Sequence, residues 1–245
     1  MVLLFLALFV SAVTAHARDL MNKPVEVIRQ YASLGDVDAQ IALGRLYSEG
    51  IKVSRDFKKA EYWLNEAAEQ GAVNAQLALS VFYYQGIAVP PDYRKSAFWA
   101  RKAALQNNPQ AQGALGVLYF EGKGVPQNYK QAEVWTRKAA EQGDAGAQLL
   151  LGALYAQGKG VPKDNKLAYL WFSLSAANGN SASIEFRDRA ALHSSTEEVK
   201  EVQAWVASLA SGETSLAALA GGMPPSAHCE QRLSGGPPLA RADLA

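Results

Sequence analysis

Histidine and cysteine are the side chains that most readily act as nucleophiles, bases or metal ligands, and this chain has three histidines and one cysteine. We predict that His16 belongs to a removed leader and that His228 and Cys229 belong to an unstructured tail. His193 alone then lies in the folded part, near a helix end. A lone histidine cannot form a zinc site or a Cys–His or Ser–His nucleophile. We therefore expect His193 to be a surface residue, and we expect no metal and no cofactor.

The acidic residues and two glycine–lysine turns also lack the spacing that catalysis requires. Glu49, Glu121 and Asp144 fall at loop and helix-end positions, and no two acids are spaced as a general acid–base pair. Gly122-Lys123-Gly124 and Gly158-Lys159-Gly160 resemble phosphate-binding loops, but no strand precedes them and no Lys-Ser/Thr pair follows. We interpret both as turns between helices and predict that the protein is not an enzyme.

The charge balance narrows the classes of partner. Lysine and arginine number 24 against 23 acidic residues, which gives a net charge of +1. This balance argues against nucleic acid or an anionic membrane surface as the main partner. Apolar residues make up 49% of the chain, enough for a core, and no internal run approaches the roughly 18 residues of a spanning helix.

The first 17 residues are predicted to be a secretory signal. An apolar run of about a dozen residues leads to Ala15-His16-Ala17, a small-x-small site that predicts cleavage after Ala17. No basic residue precedes the run, which departs from the usual pattern, and an uncleaved anchor is the alternative. We expect a periplasmic or secreted protein with no membrane span after cleavage.

The same residue types return every 36 residues through the middle of the chain. Four unbroken copies predict a repeat array, with units 36–71, 72–107, 108–143 and 144–179. The landmarks are Ala39-Gln40, Ala75-Gln76, Ala111-Gln112 and Ala147-Gln148; Tyr47, Tyr83, Tyr119 and Tyr155; Gly50, Gly86, Gly122 and Gly158; and Trp63, Trp99, Trp135 and Trp171.

Each unit reads as two helices. In the second copy, apolar residues spaced as on one helix face predict a first helix over about 74–85, and Gly86 is expected to end it. Asp92 is placed to cap the second helix, which ends at Asn107-Asn108-Pro109. The pattern predicts an all-α fold, an α/α solenoid of four full 36-residue repeats with capping helices.

Small residues recur inside each first helix, at Gly44, Ser80, Gly116 and Gly152. An interior glycine costs about 0.5–1 kcal/mol relative to alanine, so a large neighbouring side chain must use the space. We expect that neighbour to be the tryptophan of the same or the next repeat.

The ends of the array differ from its repeats. Residues 24–35 fit the second half of a unit and are predicted to form an N-terminal capping half-repeat. Residues 180–211 are predicted to form C-terminal capping helices, the last opened by the capping box Ser195-x-x-Glu198. Residues 212–245 are rich in Gly, Pro, Ser and Ala, and we predict a disordered tail.

These motifs strongly resemble the Sel-1-like repeat (SLR) family, relatives of tetratricopeptide repeats. The third copy carries the fullest pattern, with Gly122-Lys123-Gly124-Val125-Pro126 followed by Asn128, Trp135 and Gly143. The resemblance implies a right-handed superhelix of antiparallel helix pairs, with a concave face lined by the first helices. It also implies protein–protein interaction, often at or beyond the bacterial envelope. The chain lacks the paired cysteines of a disulfide-rich, penicillin-binding branch, and that activity is not carried over.

Positions that vary between repeats are the candidates for partner binding. Residues 41, 45 and 48 and their equivalents share one face of each first helix. The alternative is that this face packs against the second helices as core. The predicted partner-binding residues are Ile41, Arg45, Leu77, Val81, Tyr84, Val117, Phe120 and Leu149.

The sequence is compatible with two functions. The first is a non-catalytic scaffold of the bacterial envelope that binds a peptide or protein on the concave face. The second is a factor associated with peptidoglycan or another glycan, because tyrosine and phenylalanine also stack on sugars. The stripe offers no carboxylate pair for glycoside hydrolysis, which favours the scaffold.

Overall fold

A computed structural model describes residues 15–86 and 90–212, and within these ranges the chain is entirely helical, with no strand. The predicted all-α fold is confirmed. The twelve described helices are α1 Ala15–Asn22, α2 Val25–Ser33, α3 Val37–Glu49, α4 Phe57–Glu69, α5 Val73–Gln85, α6 Tyr93–Leu105, α7 Pro109–Glu121, α8 Tyr129–Glu141, α9 Ala145–Gln157, α10 Asn165–Ala177, α11 Ser183–Ala191 and α12 Thr196–Ala210.

The helices pack in consecutive pairs, α3 with α4, α5 with α6, α7 with α8 and α9 with α10, so each repeat is one helical hairpin of an α/α solenoid. The chain divides into two compact units, residues 1–106 and 107–245. The first contains α1 to α6 and the second α7 to α12, and each is described separately below.

Local capping explains why each hairpin begins and turns where it does. In the second repeat, Gly86 ends α5 in the left-handed conformation (φ 65°), and the Asp92 side chain accepts a hydrogen bond from the Lys95 amide at 3.0 Å. Both predicted positions are confirmed. The Asp92 amide also donates to the Tyr83 carbonyl at 2.9 Å, which closes the turn. The same amide-to-tyrosine bond joins Asp56 to Tyr47, Asn128 to Tyr119 and Asp164 to Tyr155.

The core of the first unit is built from alanine, leucine and the landmark aromatics. Leu20 of α1 is fully buried and packs with Ile28 and Leu43, so the core begins within three residues of the predicted cleavage point. Helix α1 itself spans that point. Pro24 precedes α2 as its N-terminal flanking residue. Residues 1–14 and 213–245 lie outside the described residues, and they include most of the predicted signal and of the predicted tail.

The second unit ends in two helices that close its core. Val202 of α12 is fully buried, and Val199, Trp205, Val206 and Leu209 pack against the same cluster. The predicted capping box is present, because the Ser195 side chain and the Glu198 side chain each accept the other residue's amide hydrogen. This part of the prediction is confirmed.

The neighbour of the small interior residues is not the tryptophan, so that expectation was wrong. A methyl group added at Gly44 would lie 2.6 Å from Cγ of Leu64, and one added at Gly152 would lie 2.7 Å from Cδ1 of Phe172. Each contacting residue directly follows a tryptophan in the sequence. The helical rotation of about 100° per residue turns the tryptophan itself away from this contact.

The two sides of this contact vary together between repeats. Leu64 and Phe172 face a glycine, as does Thr136, whereas the repeat with Ser80 carries Ala100 at the equivalent second-helix position. There the Ser80 hydroxyl meets that of Ser96 at 3.3 Å instead. A larger residue on the first helix therefore coincides with a smaller one on the second, as close packing requires.

A buried glutamine links the helices within each repeat. Gln40, Gln76, Gln112 and Gln148 are at most 3% exposed. Three of them donate to the carbonyl of a residue eight positions earlier, near the end of the preceding second helix; those residues are Ala32, Ala68 and Ala140. Each glutamine oxygen also accepts from the amide side chain that follows its own repeat's second helix. Those donors are Gln70, Gln106, Gln142 and Asn178, at 2.8–2.9 Å.

The third repeat keeps this arrangement with a substituted partner. Asn107 stands where the other copies have Gly71, Gly143 and Gly179, and it adopts the same left-handed region with φ 63°. Its side-chain oxygen accepts the hydrogen bond from Gln112 at 3.0 Å. Asparagine tolerates this backbone better than other non-glycine residues, so the exchange keeps both the turn and the hydrogen bond.

Gly152→Ser should destabilise the protein by about 1–3 kcal/mol, because the added atoms overlap the Phe172 ring. Phe172→Ala alone should cost about 3–5 kcal/mol through the cavity it leaves. The double variant Gly152→Ser/Phe172→Ala imitates the second repeat and should be more stable than the sum of the single losses predicts. Urea denaturation of all four proteins measures this coupling. Strictly additive losses would contradict the packing described above.

Gln148→Leu should lower the free energy of unfolding by about 1–3 kcal/mol, because it removes the hydrogen bonds that the buried Gln148 donates to the Ala140 carbonyl and accepts from the Asn178 side chain. Gln157→Leu at the exposed end of the same helix is the matched control and should change stability by no more than about 0.5 kcal/mol. Thermal and urea denaturation compare the two. Equal effects would mean that the buried network contributes no specific stability.

Candidate interaction surface

The stripe predicted from the sequence consists of residues at three positions on each first helix. In the first unit these are Ile41, Arg45, Ser48, Leu77, Val81 and Tyr84, and in the second unit Gly113, Val117, Phe120, Leu149, Ala153 and Ala156. Leu77 is only 6% exposed, and Gly113 is also buried, so these two contribute to packing. The other ten are partly buried, with one side on the core and part of the surface accessible.

In the first unit the stripe combines apolar, aromatic and charged side chains. Ile41 packs against the core cluster that contains Leu64 and Ala75. Arg45 forms an ion pair with Glu49 at 2.9 Å, and both side chains are largely shielded from solvent. Tyr84 packs edge-to-face with Tyr93, whose ring centroid is 5.5 Å away at an interplanar angle of 67°.

The second unit repeats the aromatic pair in its third repeat. Phe120 lies 5.5 Å from Tyr129 at an interplanar angle of 57°. The Lys159 ammonium lies 5.2 Å from both ring centroids, within range of a cation–π interaction. Phe120 and Leu149 also pack against the core of this unit. The accessible part of this stripe is therefore continuous with a buried interior.

Tyr93 and Tyr129 were not among the predicted binding residues. Each is the first residue of a second helix and lies nine positions after the aromatic residue it contacts. The sequence does contain a sign of this role. In the second and third repeats, an aromatic residue near the end of the first helix is followed nine positions later by an aromatic residue at the start of the second helix. The first and fourth repeats lack such a pair, with Ser48 or Ala156 at the first-helix position.

Two of the landmark tyrosines, Tyr83 and Tyr155, hold helices together and do not belong to the predicted stripe. The Tyr83 hydroxyl donates to the Glu61 carboxylate, and the Tyr155 hydroxyl accepts from Arg137. Burial raises the pKa of both tyrosines, and for Tyr83 the hydrogen bond to Glu61 adds to the increase. Both hydroxyls therefore stay protonated at neutral pH.

The residues first considered for chemistry lie apart. His193 is exposed just after α11, as predicted, and its carbonyl accepts a hydrogen bond from Asn165. In residues 15–86 and 90–212, no group of three or more His, Cys, Asp or Glu side chains is arranged to hold a metal ion. Lys159 belongs to a turn, as expected for both glycine–lysine segments, and contacts aromatic rings. Of the twelve described helices, none combines the length and apolar character that crossing a bilayer requires.

Comparison with known families identifies a repeat. The model of the Sel1 repeat matches four consecutive segments, residues 37–71, 73–108, 109–144 and 145–180, which together make up more than half of the chain. Each segment contains one of the helical hairpins α3/α4, α5/α6, α7/α8 and α9/α10. A comparison with curated proteins found no match.

Two of the solved structures that match this chain are similar to it in both sequence and fold. A protective antigen of uropathogenic Escherichia coli strains that displays an SLR fold is 40% identical, with a TM-score of 0.64, over 66% of this chain and 35% of the antigen. A Sel1 repeat protein from Oxalobacter formigenes is 38% identical, with a TM-score of 0.59, over 67% of this chain and 48% of its own. The matched part thus spans about a third to a half of these relatives.

Proposed function

Because the chain belongs to the Sel1 repeat family, whose members are generally protein-interaction scaffolds, we propose that it is a non-catalytic scaffold of the bacterial envelope. It binds a peptide or protein partner on the first-helix face of its repeats. The observation that carries this proposal is the partly exposed aromatic and aliphatic stripe, which rests on a buried core in each unit.

The make-up of the stripe supports a protein partner. Tyrosine and phenylalanine lose little conformational entropy on binding and bring large contact areas, so they are frequent anchors of interfaces. Tyr84 and Phe120 are held by Tyr93 and Tyr129, so their orientation is set before a partner arrives. Arg45, held by Glu49, adds a charged group at the edge of the apolar surface.

A non-catalytic role agrees with the family and the fold, which are typical of scaffolds. The stripe presents aromatic, aliphatic and small side chains together with Arg45, and the buried tyrosine hydroxyls stay protonated. Binding of this kind depends on shape and buried apolar area, so specificity resides in the residues that vary between repeats.

We place the protein in the periplasm or outside the cell because of the apolar run that ends at Ala15-His16-Ala17. Leu20 and the other described core residues of the first unit follow Ala17, so a chain cleaved after Ala17 would retain them. One similar protein is a protective antigen of uropathogenic Escherichia coli strains.

The double variant Tyr84→Ala/Phe120→Ala should bind the partner captured by the wild type from an envelope extract roughly tenfold more weakly or worse, because it removes two anchors. The control variant Leu105→Ala/Leu192→Ala removes two side chains that are largely exposed and lie outside the stripe, one in each unit. It should bind the partner normally. Circular dichroism checks that each variant is folded. A folded stripe variant with wild-type affinity would contradict the proposal, and capture of peptidoglycan fragments instead would favour a glycan partner.

Expression of the full chain in a Gram-negative host should give a periplasmic or secreted product that begins at Arg18, because the signal peptidase needs a small residue at position 17. Ala17→Glu should block this processing and leave a longer, membrane-retained product. Fractionation followed by N-terminal sequencing measures both. An unprocessed wild-type chain in the cytoplasm would contradict export, and an unprocessed wild-type chain in the membrane would support an anchor.

A further inference from the structure

In the second and third repeats, a lysine three residues after the tryptophan lies over its ring. The Lys102 ammonium is 4.6 Å from the centroid of Trp99 and 4.7 Å from that of Phe98. In the second unit, the Lys138 ammonium is 5.1 Å from the centroid of Trp135. These distances lie within the range of cation–π attraction, so the chain supplies its own cation at both places.

The first repeat has the same pair of aromatic rings as the second repeat, but it carries an acidic residue at the position of the lysine. Tyr62 and Trp63 pack edge-to-face, with centroids 4.9 Å apart at 74°, and Phe98 and Trp99 pack in the same way at 5.0 Å and 77°. The residue three positions after Trp63 is the exposed Glu66 rather than a lysine. The first repeat therefore presents an aromatic pair with a carboxylate where its equivalents carry an ammonium group.

An open groove lies beside this aromatic pair. It has a volume of about 470 Å³, and its walls include Tyr62, Trp63, Glu66, Glu69 and Ser33 at the end of α2. Tyr62 is 55% exposed, so one ring of the pair is accessible. The C-terminal end of a helix carries a partial negative charge, which adds to that of the carboxylates. Glu69 is already paired with Lys102 at 3.4 Å, which leaves Glu66 as the acidic group that defines the site.

We propose that this groove binds a basic side chain, lysine or arginine, of a partner protein. The cation lies over the Tyr62–Trp63 rings, as Lys102 lies over Phe98 and Trp99, and pairs with the Glu66 carboxylate. The site is on the second helix of the first repeat, so it is separate from the first-helix stripe. Binding of a basic side chain in the groove does not depend on binding at the stripe.

The site can be tested with trilysine as the probe, by following the indole N–H signals of the five tryptophans by NMR. The Trp63 signal, assigned from the Trp63→Phe spectrum, should shift and saturate at millimolar peptide. Trilysine with acetylated side chains should leave it in place, because acetylation removes the charge. The signals of Trp99 and Trp135 are internal references, because their own lysines cover them.

Glu66→Lys gives the first repeat the residue that the second and third repeats already carry, so the variant should fold and fill its own site. It should raise the trilysine concentration that produces half of the Trp63 shift about tenfold or more. Glu66→Gln should raise that concentration less. Glu26→Lys makes the same change in net charge on an exposed part of α2 and should leave the shift nearly unchanged.

Three results would overturn the proposal. These are a Trp63 signal that does not move with trilysine, an equal shift with the acetylated peptide, and equal weakening by Glu66→Lys and Glu26→Lys. None of these measurements involves Tyr84 or Phe120. Failure here would therefore leave the proposed scaffold function standing, and failure of the stripe variants would leave this site standing.

Discussion

The frame of each repeat depends on a buried carboxamide that both donates and accepts a hydrogen bond. A glutamine in the first turn of each first helix accepts from the amide that follows its own second helix. In three repeats it also donates to the end of the preceding second helix, and in the third repeat Asn107 provides the acceptor. A buried amide without partners costs about 1–3 kcal/mol, so only one rotation and offset of the helices is acceptable. Apolar packing alone would tolerate several.

The side chains that meet between the two helices of a hairpin have complementary volumes in each repeat. Where the first helix has a glycine, the second helix supplies Leu64, Thr136 or Phe172, and where it has Ser80 the equivalent residue is Ala100. The frame is thus preserved by complementary volumes rather than by identical residues. This explains why single repeats depart from the shared pattern without losing the hairpin.

A frame stabilised by its repeated positions leaves the varying positions free for recognition. The aromatic pairs of the second and third repeats differ from the serine and alanine of the first and fourth. In the same way, the lysines over Trp99 and Trp135 differ from the glutamate beside Trp63. Both differences change surface chemistry at constant geometry. A scaffold can acquire distinct binding sites in this manner without altering its fold.

The sequence by itself determined the helical hairpins and their repeat spacing, because the same residue types return every 36 positions. It also determined the helix stop at Gly86, the cap at Asp92 and the last capping box, because these features depend on residues three to four positions apart. Only the tertiary structure decided which side chain fills the space at Gly44 and Gly152, that Leu77 is buried, and that Tyr93 and Tyr129 support the stripe. The contacts at the glycines and at the two tyrosines join residues nine to twenty positions apart, and they depend on how each helix is rotated about its axis. A 36-residue period repeats every position equally, so it cannot distinguish Trp63 from Leu64 as the residue that faces the neighbouring helix.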